Sequence, residues 1–360
     1  MTESFPKSVK RFLKKERDIQ KNLTPHFDAN EMGKPLELKD QFGRVFPYLR
    51  LSITEACNFR CQYCLPNGFQ KPCDMNFLRR NEIINLIKAF AQLGTKKIRL
   101  TGGEPTIRND LVEIIGAIRE IKTIETIALT TNGYKLEHQA KNLIDAGLNA
   151  INVSIDSLNA DKFKIITGHD KLQSILNGIF EVAKAKHIKI KTNSVLLKGI
   201  NDDELPNILR VIQNNNITMR FIELMRTGDN QDYFEKHHVS TNLMLKHIEE
   251  MGFERISRDK VAGPASEYAH EDYKGKIGII APYSKDFCSS CNRLRISARG
   301  ELKLCLFGDG GLDLRPYLQS ENQIEELKFQ ILKALKFKLP THNLAGGYTG
   351  STKHLAQIGG

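Results

Sequence analysis

The stretch CNFRCQYC, residues 57–64, sets Cys57, Cys61 and Cys64 in a C-x3-C-x2-C spacing that no fourth cysteine completes. A closed structural zinc site takes four protein ligands. A cubane [4Fe–4S] cluster has four irons, each of which wants a thiolate. Three thiolates leave one iron open to a small molecule. The triad follows the strand-like run Tyr48–Ile53. Chemistry-bearing residues at the end of a strand point to a β/α repeat whose active rim lies at the strand C-termini.

Outward from this stretch the chain alternates strand-like and helix-like segments. Strands are expected at Tyr48–Ile53, Lys97–Leu100, Thr126–Thr130, Ala150–Ile155, Ile188–Leu197 and Thr218–Leu224. Between them, Asn81–Leu93 carries Ile83, Ile84, Ile87 and Phe90 at helical spacing. Asp110–Ile121, Leu136–Ala146, Leu172–Lys186 and Asp203–Asn214 read as further helices. Asn109 or Asp110 is a candidate N-cap, and Gly147 and Gly252 fit positions just past helix ends. Six such repeats imply parallel strands with right-handed crossovers. The pattern alone leaves a doubly wound sheet and a barrel open. The motifs favour a barrel, because they fall on one rim. The triad follows strand one, TGGEP (101–105) strand two and TTNG (130–133) strand three, and SIDS (154–157) ends strand four. Lys191 and Asn193 lie in strand five, and Glu223 and Met225 close strand six.

The alternation stops after Arg226. A polar stretch leads to a short helix, Thr241–Met251, and to strand-like runs at Lys276–Ile280, Leu294–Ala298 and Glu301–Leu306, with a last helix near 322–336. A second triad, Cys288, Cys291 and Cys305, spaced C-x2-C-x13-C, lies in this part, and Cys73 stands alone. No apolar signal region opens the chain, so the spaced thiols read as metal-binding rather than disulfide-forming, and a cytoplasmic location is expected. Zinc completed by a distant ligand is the competing reading, and it is stronger for the second triad. The net charge is +11 at pH 7. Part of it sits between Lys7 and Lys21, where seven Lys or Arg meet two acids, a pattern of a solvated helix. No nucleic-acid-binding fingerprint and no membrane-length apolar run is present, so neither partner is expected.

Several residues fit a small-molecule site. Gly102 and Gly103 let backbone approach a ligand closely, having no Cβ. Tyr63 lies between two cluster cysteines, Ser154 offers a short hydroxyl, and Met225 offers an apolar wall, although core filling explains Met225 equally well. Arg50, Arg99, Lys191, Arg293 and Arg295 form a basic set whose convergence on one cavity would favour a polyphosphate. Local ion pairs or solvent exposure are the competing account for any one of them.

The combination CNFRCQYC, IRLTGGEPTIR, TTNGY, NVSIDSL, KFKIITG, LLKGINDDEL, FIELM, FCSSCNRLRIS, LCLF and the terminal Gly-Gly resembles the GTP 3′,8-cyclase family of the radical S-adenosylmethionine (SAM) superfamily, from about Tyr48 to Gly360. The resemblance implies an α/β fold, an incomplete (β/α)6 TIM-type barrel with a C-terminal iron–sulfur extension. It divides the chain into an N-terminal extension (1–43), a radical SAM partial barrel (44–226) and a C-terminal domain with the second cluster and a Gly-Gly tail (227–360). Two [4Fe–4S] clusters are implied. The one on Cys57, Cys61 and Cys64 cleaves SAM reductively and acts catalytically, and the one on Cys288, Cys291 and Cys305 leaves an iron for the guanine base. Tyr63, Gly103, Ser154 and Met225 fall on SAM-contact positions. Arg50, Arg99, Thr130, Lys191, Arg293, Leu294 and Arg295 fall on GTP-contact positions, and Gly359 and Gly360 would reach into the cavity. The implied reaction removes the ribose 3′ hydrogen of GTP and closes C3′ onto guanine C8, opening molybdenum cofactor biosynthesis. Implied partners are GTP, an electron donor such as flavodoxin or ferredoxin and, by function, cyclic pyranopterin monophosphate synthase. The sequence leaves the choice of donor and the formation of a homodimer open. The rival reading is another radical SAM enzyme with an auxiliary cluster, such as a peptide maturase.

Overall fold

The computed structural model describes residues 37–360 apart from Asp74, Arg258, Lys260 and Gly360. The basic segment Lys7–Lys21 and the terminal Gly360 therefore lie outside the described residues. The first half is a repeating β/α unit. It runs β1 (Tyr48–Ser52), α1 (Arg80–Gln92), β2 (Lys97–Thr101), α2 (Leu111–Arg119), β3 (Thr126–Thr131), α3 (Leu136–Asp145) and β4 (Ala150–Ser154). It continues with α4 (Ala160–Thr167), α5 (Leu172–Ala183), β5 (Lys189–Leu196), α6 (Leu205–Asn214) and β6 (Thr218–Glu223). Each expected strand and helix of this half forms within a few residues of its expected limits. Helix α4 is additional. Asn159 caps it by accepting from Asp161 N at 3.0 Å and Lys162 N at 3.1 Å, and Gly168 ends it at φ 73°. Asp110 is the N-cap of α2 by position, but its carboxylate takes the Arg108 guanidinium instead of a helix N–H.

Strands β1 to β6 pair in chain order, all parallel. The second half adds α7 (Gln231–His237), α8 (Asn242–Glu250), β7 (Glu254–Arg255), β8 (Ser266–Ala269) and β9 (Lys276–Ile280). It ends with β10 (Arg293–Ile296), β11 (Glu301–Lys303), β12 (Leu312–Asp313) and α9 (Ile324–Leu335). Its strands do not form a separate sheet. β9 joins β6 and β10 joins β1, both parallel. The result is one open twelve-stranded sheet, with antiparallel β8–β7 at one end and β11–β12 at the other. The terminal strands are two residues each, short enough to offer little edge for pairing with another chain. One hydrophobic cluster runs through both halves, from Leu49 and Ile83 to Leu294, Ile296 and Ile331. Leu38, within the segment assigned to the N-terminal extension, is 1% exposed and belongs to it.

The loop carrying the first triad is positioned by glycine. Gly102 has φ 149°, and a Cβ there would stand 2.2 Å from the Thr54 carbonyl oxygen; at Gly103 it would stand 2.2 Å from that of Ala56. Gly103 N and Glu104 N bond those same two carbonyls, at 2.9 and 2.7 Å. The expected close approach is thus made to the chain's own β1 exit. Gly103→Ala is expected to cost at least about 1–3 kcal/mol, because backbone must move to relieve the overlap. Gly116→Ala, in α2 with nothing within 4 Å of the new methyl, is expected to gain roughly 0.5–1 kcal/mol. Denaturant unfolding of the metal-free variants checks both.

Candidate active site

Strand register builds the site. Arg50 of β1 pairs directly with Arg295 of β10 on one side and with Arg99 of β2 on the other. One step back, Tyr48 pairs with Arg293 and Lys97. Like charges directly opposite repel, so this row is costly unless oxygen atoms meet it. Some do. Arg99 donates to the Tyr48 hydroxyl, to the Leu129 carbonyl at 3.0 Å and to Thr130 Oγ1 at 3.2 Å. Arg50 and Arg295 both donate to the Gly359 carbonyl, at 2.8 and 2.9 Å. The row lines a cavity of about 840 Å³ that also receives Lys191, Arg220, Asn152, Asn193 and Met225. Arg220 Nε and Nη2, Asn152 Oδ1 and Asn193 Oδ1 are buried there without a hydrogen-bond partner.

Electrostatics follow from this crowding. Burial, with Arg99 adding to it, pushes Lys97 down to about 8 and Arg220 down to about 9. Burial, with Arg99 and Arg293, brings Arg50 to about 10 against the opposing pull of Tyr48. Lys191 is lowered by burial and by Arg220 even though it is paired with Glu267. Burial alone would raise Tyr48, but Arg99, Arg50 and Lys97 outweigh it and hold the phenol at about 6. The cavity is a nest of buried and half-buried cations, opposed by Glu267 on Lys191 and by the Tyr48 phenol.

The second triad opens into the same cavity, since Cys288, Cys291 and Cys305 all line it. Burial opposes ionisation of Cys288 and Cys291. His342 overcomes it at Cys288, bringing the thiol to about 7, and Lys338 with Arg293 does so at Cys291, bringing it to about 6. Burial wins at Cys305, which is raised despite Lys338. Anionic thiolates are what a metal or cluster requires.

The first triad sits in a different field. Cys57 is pushed up to about 12 and Cys64 to about 11, and Cys61 is raised well above its ordinary value, in each case mainly by burial. Glu104 adds to the effect at Cys57, and Asp156 at Cys61 and Cys64. Cluster iron supplies the positive charge such thiols lack, so buried sulfurs with few cations nearby fit an iron–sulfur group. Among the described residues, no three or more His, Cys, Asp or Glu side chains converge on a single-ion position; in a cubane each thiolate binds its own iron. Tyr63 OH donates to Asp156 Oδ2 at 2.9 Å, and Asp156 Oδ1 accepts from Val195 N at 2.8 Å. Glu104, fully buried, accepts from Thr106 N at 2.9 Å, Thr131 Oγ1 at 2.7 Å and Asn132 N at 2.6 Å. TGGEP and TTNG are thereby tied into one scaffold.

The structure brings Arg50, Arg99, Lys191, Met225, Arg293, Arg295 and the second triad to one cavity. Thr130 reaches it through Arg99, and Ser154 ends β4 beside Asn193. The Leu294 side chain turns to the opposite face by strand alternation and is 1% exposed in the hydrophobic core, so any contact of this position with a ligand would be made by its backbone. Glu223 of the rim is used internally, accepting from Thr241 Oγ1 at 3.0 Å and lying 3.0 Å from His238 Nε2. Sequence reasoning missed Tyr48, Lys97, Arg220 and Asn152. Alternation along β1, β2 and β4 could have found Tyr48, Lys97 and Asn152, since each stands two residues from a site residue on the same strand, whereas Arg220 stands an odd number of residues from Glu223 and Met225 and is not marked by it. Lys338 and His342 carry no such signal.

An eight-stranded parallel run with a cysteine triad at the rim defines a radical SAM fold, and the Radical SAM superfamily model matches residues 51–212. The Molybdenum Cofactor Synthesis C model matches residues 217–344. SuiB of Streptococcus suis, solved bound to S-adenosylmethionine, is similar with a TM-score of 0.56 at 11% identity, over 75% of this chain and 64% of that one, and this likeness carries the fold alone. GTP 3′,8-cyclase of Stenotrophomonas maltophilia K279a is 50% identical over 324 residues, 90% of this chain and 99% of its own. That of Psychromonas ingrahamii is 48% identical over 339 residues, 94% and 100%. The chain belongs to the GTP 3′,8-cyclase family. Among the described residues no helix is long and apolar enough to cross a membrane.

Tyr48 gives a test of the cation nest. The folded, metal-free protein should show one phenolate appearing as pH rises through about 6, read by near-ultraviolet absorbance and absent in Tyr48→Phe. The unfolded phenol keeps its proton up to about 10. The stabilisation from Tyr48 ionisation is therefore fully present above pH 10 and is lost as pH falls to 6.

Proposed function

We infer that this chain carries out the radical SAM cyclisation of GTP to (8S)-3′,8-cyclo-7,8-dihydroguanosine 5′-triphosphate, the first step of molybdenum cofactor biosynthesis. The observation that carries the reading is the row of cations lining the cavity beside the second triad, in a chain of this family. Cys57, Cys61 and Cys64 would hold the first [4Fe–4S] cluster, with Tyr63, Gly103, Ser154 and Met225 around SAM. When bound, that group with SAM supplies the one-electron chemistry that starts the reaction.

The chain's own residues do the rest. Arg50, Arg99, Arg293 and Arg295, with Lys191, would take the triphosphate oxygens, each guanidinium offering a two-pronged donor. Lys97 and Arg220 extend that set, and Thr130 holds Arg99 in place. Cys288, Cys291 and Cys305 would hold a second cluster, whose unligated corner would take the guanine base. Asn152 and Asn193 offer carbonyl oxygens to the ribose or base. The sheet and the C-terminal strands that wall the cavity would limit the access of water to the reacting atoms. The same reading treats 44–226 as the barrel, 227–360 as the substrate-side domain with Gly359 and Gly360 at its end, and 1–43 as an extension. It also calls for an electron donor of the flavodoxin or ferredoxin kind.

Incubation of anaerobically loaded protein with reductant, SAM and GTP, followed by mass analysis of the nucleotide, tests the reading; SAM cleavage beside an unchanged GTP pool would point to another substrate. Cys57→Ala is expected to abolish SAM cleavage, whereas Cys291→Ala should disturb GTP binding more than SAM cleavage. Arg220→Gln should weaken GTP binding about 10- to 150-fold, the loss of roughly 1.5–3 kcal/mol of charge-assisted hydrogen bonding, and leave SAM affinity unchanged.

A further inference from the structure

The chain leaving α9 is fastened to both loops that carry the second triad. Lys338 Nζ donates to the Leu304 carbonyl, next to Cys305. The Arg44 guanidinium donates to the Cys288 carbonyl at 3.2 Å and to the Leu339 and Pro340 carbonyls at 2.6 and 2.8 Å. Asp40 holds that guanidinium in turn, at 2.6 Å. The stretch so pinned delivers His342 to a place between the two loops. Its ring centroid stands 5.9 Å from that of Phe287, beside Cys288, and 5.3 Å from that of Phe307, two residues past Cys305. The imidazole lines the cavity together with the three cysteines.

One hydrogen bond sets the tautomer. Leu344 N donates to His342 Nδ1 at 3.2 Å, so Nδ1 presents its lone pair and the proton of the neutral ring sits on Nε2. Nε2 is buried and makes no hydrogen bond. Burying an N–H without an acceptor is unfavourable, and native proteins leave few such groups.

We propose that His342 Nε2–H donates to O6 of the substrate guanine and thereby selects guanine over adenine at the second triad. The proposal rests on the reading of that triad as the seat of the base. In the cyclisation C8 faces the ribose, which leaves the six-membered ring of the base toward the cysteines. That ring offers two acceptors, O6 and N3, and N3 lies beside the nitrogen that bears the ribose. O6 is therefore the acceptor met by a donor standing among Cys288, Cys291 and Cys305. Adenine carries an amino group at the same position, a donor where the site already supplies one. Both donors would then be left unpaired, the arrangement by which a hydrogen-bonding site rejects a wrong substrate most strongly. The competing acceptor is Cys288, on whose thiol the imidazole also acts; a bond to sulfur would affect every nucleotide alike.

Equilibrium binding of GTP, ITP and ATP to the anaerobically loaded full-length chain separates the two. ITP keeps O6 and lacks only the 2-amino group. His342→Phe keeps a ring between Phe287 and Phe307 and removes the donor. It should weaken GTP and ITP by a common factor, roughly 5- to 150-fold, and leave ATP unchanged. His342→Gln can turn either its N–H or its carbonyl to the base, so it should largely erase the preference for GTP over ATP. Iron content and the electron paramagnetic resonance of the second cluster check the loading of each variant. Equal loss of all three nucleotides in His342→Phe, or unchanged GTP binding, overturns the proposal. Should His342→Phe not retain the second cluster, His342→Gln decides, and a preference for GTP as large as that of the wild type overturns it. Wild-type protein that binds ATP as tightly as GTP, or Cys291→Ala that binds GTP as tightly as the wild type, refutes the placement of the base at the second triad and the proposal with it.

Discussion

Three arginines in one row, Arg295, Arg50 and Arg99 on adjacent strands β10, β1 and β2, are the constraint around which the site is organised. The sheet tolerates the row because its other face is fixed by apolar contacts. Leu49 against Leu294 and Leu51 against Ile296 lock the β1–β10 register, and all four are buried in the common core. A one-residue slip would turn the arginines into that core and the leucines into the cavity. The row is met by the Tyr48 phenol, which the same cations hold at about 6, and by the Leu129 carbonyl and the tail carbonyl of Gly359. One phenolate and two carbonyl dipoles leave most of the positive charge of the row uncompensated. A polyanion supplies what is missing, and a nucleoside triphosphate fits both the charge and the cavity.

The same topology explains how two cysteine triads far apart in sequence come to lie on one sheet. β9 and β10 join opposite ends of the six-stranded parallel run. The second half of the chain is therefore woven into the barrel sheet. Cys288 and Cys291 come just before β10, which lies beside β1, and Cys57 follows β1. The tail then passes from the Cys305 loop along the loop leaving β6 and on to Arg50 and Arg295. Each triad keeps its own field. Carboxylates stand near the first, whereas Lys338, Arg293 and His342 stand near the second.

Much of this was legible in the sequence because it is local. Period-two and period-3.6 apolar patterns marked β1 to β6 and the helices between them, and the motifs at strand ends marked the rim. What was not legible depends on partners distant in the chain. Nothing in KIGII (276–280) or RLRI (293–296) says that these strands seal opposite edges of one sheet. Helix α4 escaped notice because eight residues with two isoleucines and a threonine give a weak helical period. Gly102 and Gly103 were legible as close-approach points, but the structure sets them against the backbone of Thr54 and Ala56. Leu294 was placed among the GTP-contact positions by resemblance, and strand alternation turns its side chain to the face opposite Arg293 and Arg295. Lys338 and His342 reach the second triad from beyond α9, a distance no local pattern encodes.

The central claim is that the arginine row exists for a triphosphate. Equilibrium binding of guanosine, GMP, GDP and GTP to the loaded protein, each at low and at raised salt, tests it most directly. The account expects affinity to climb with each added phosphate and the salt dependence to steepen in step. Guanosine binding as tightly as GTP, with no dependence on salt, would contradict it.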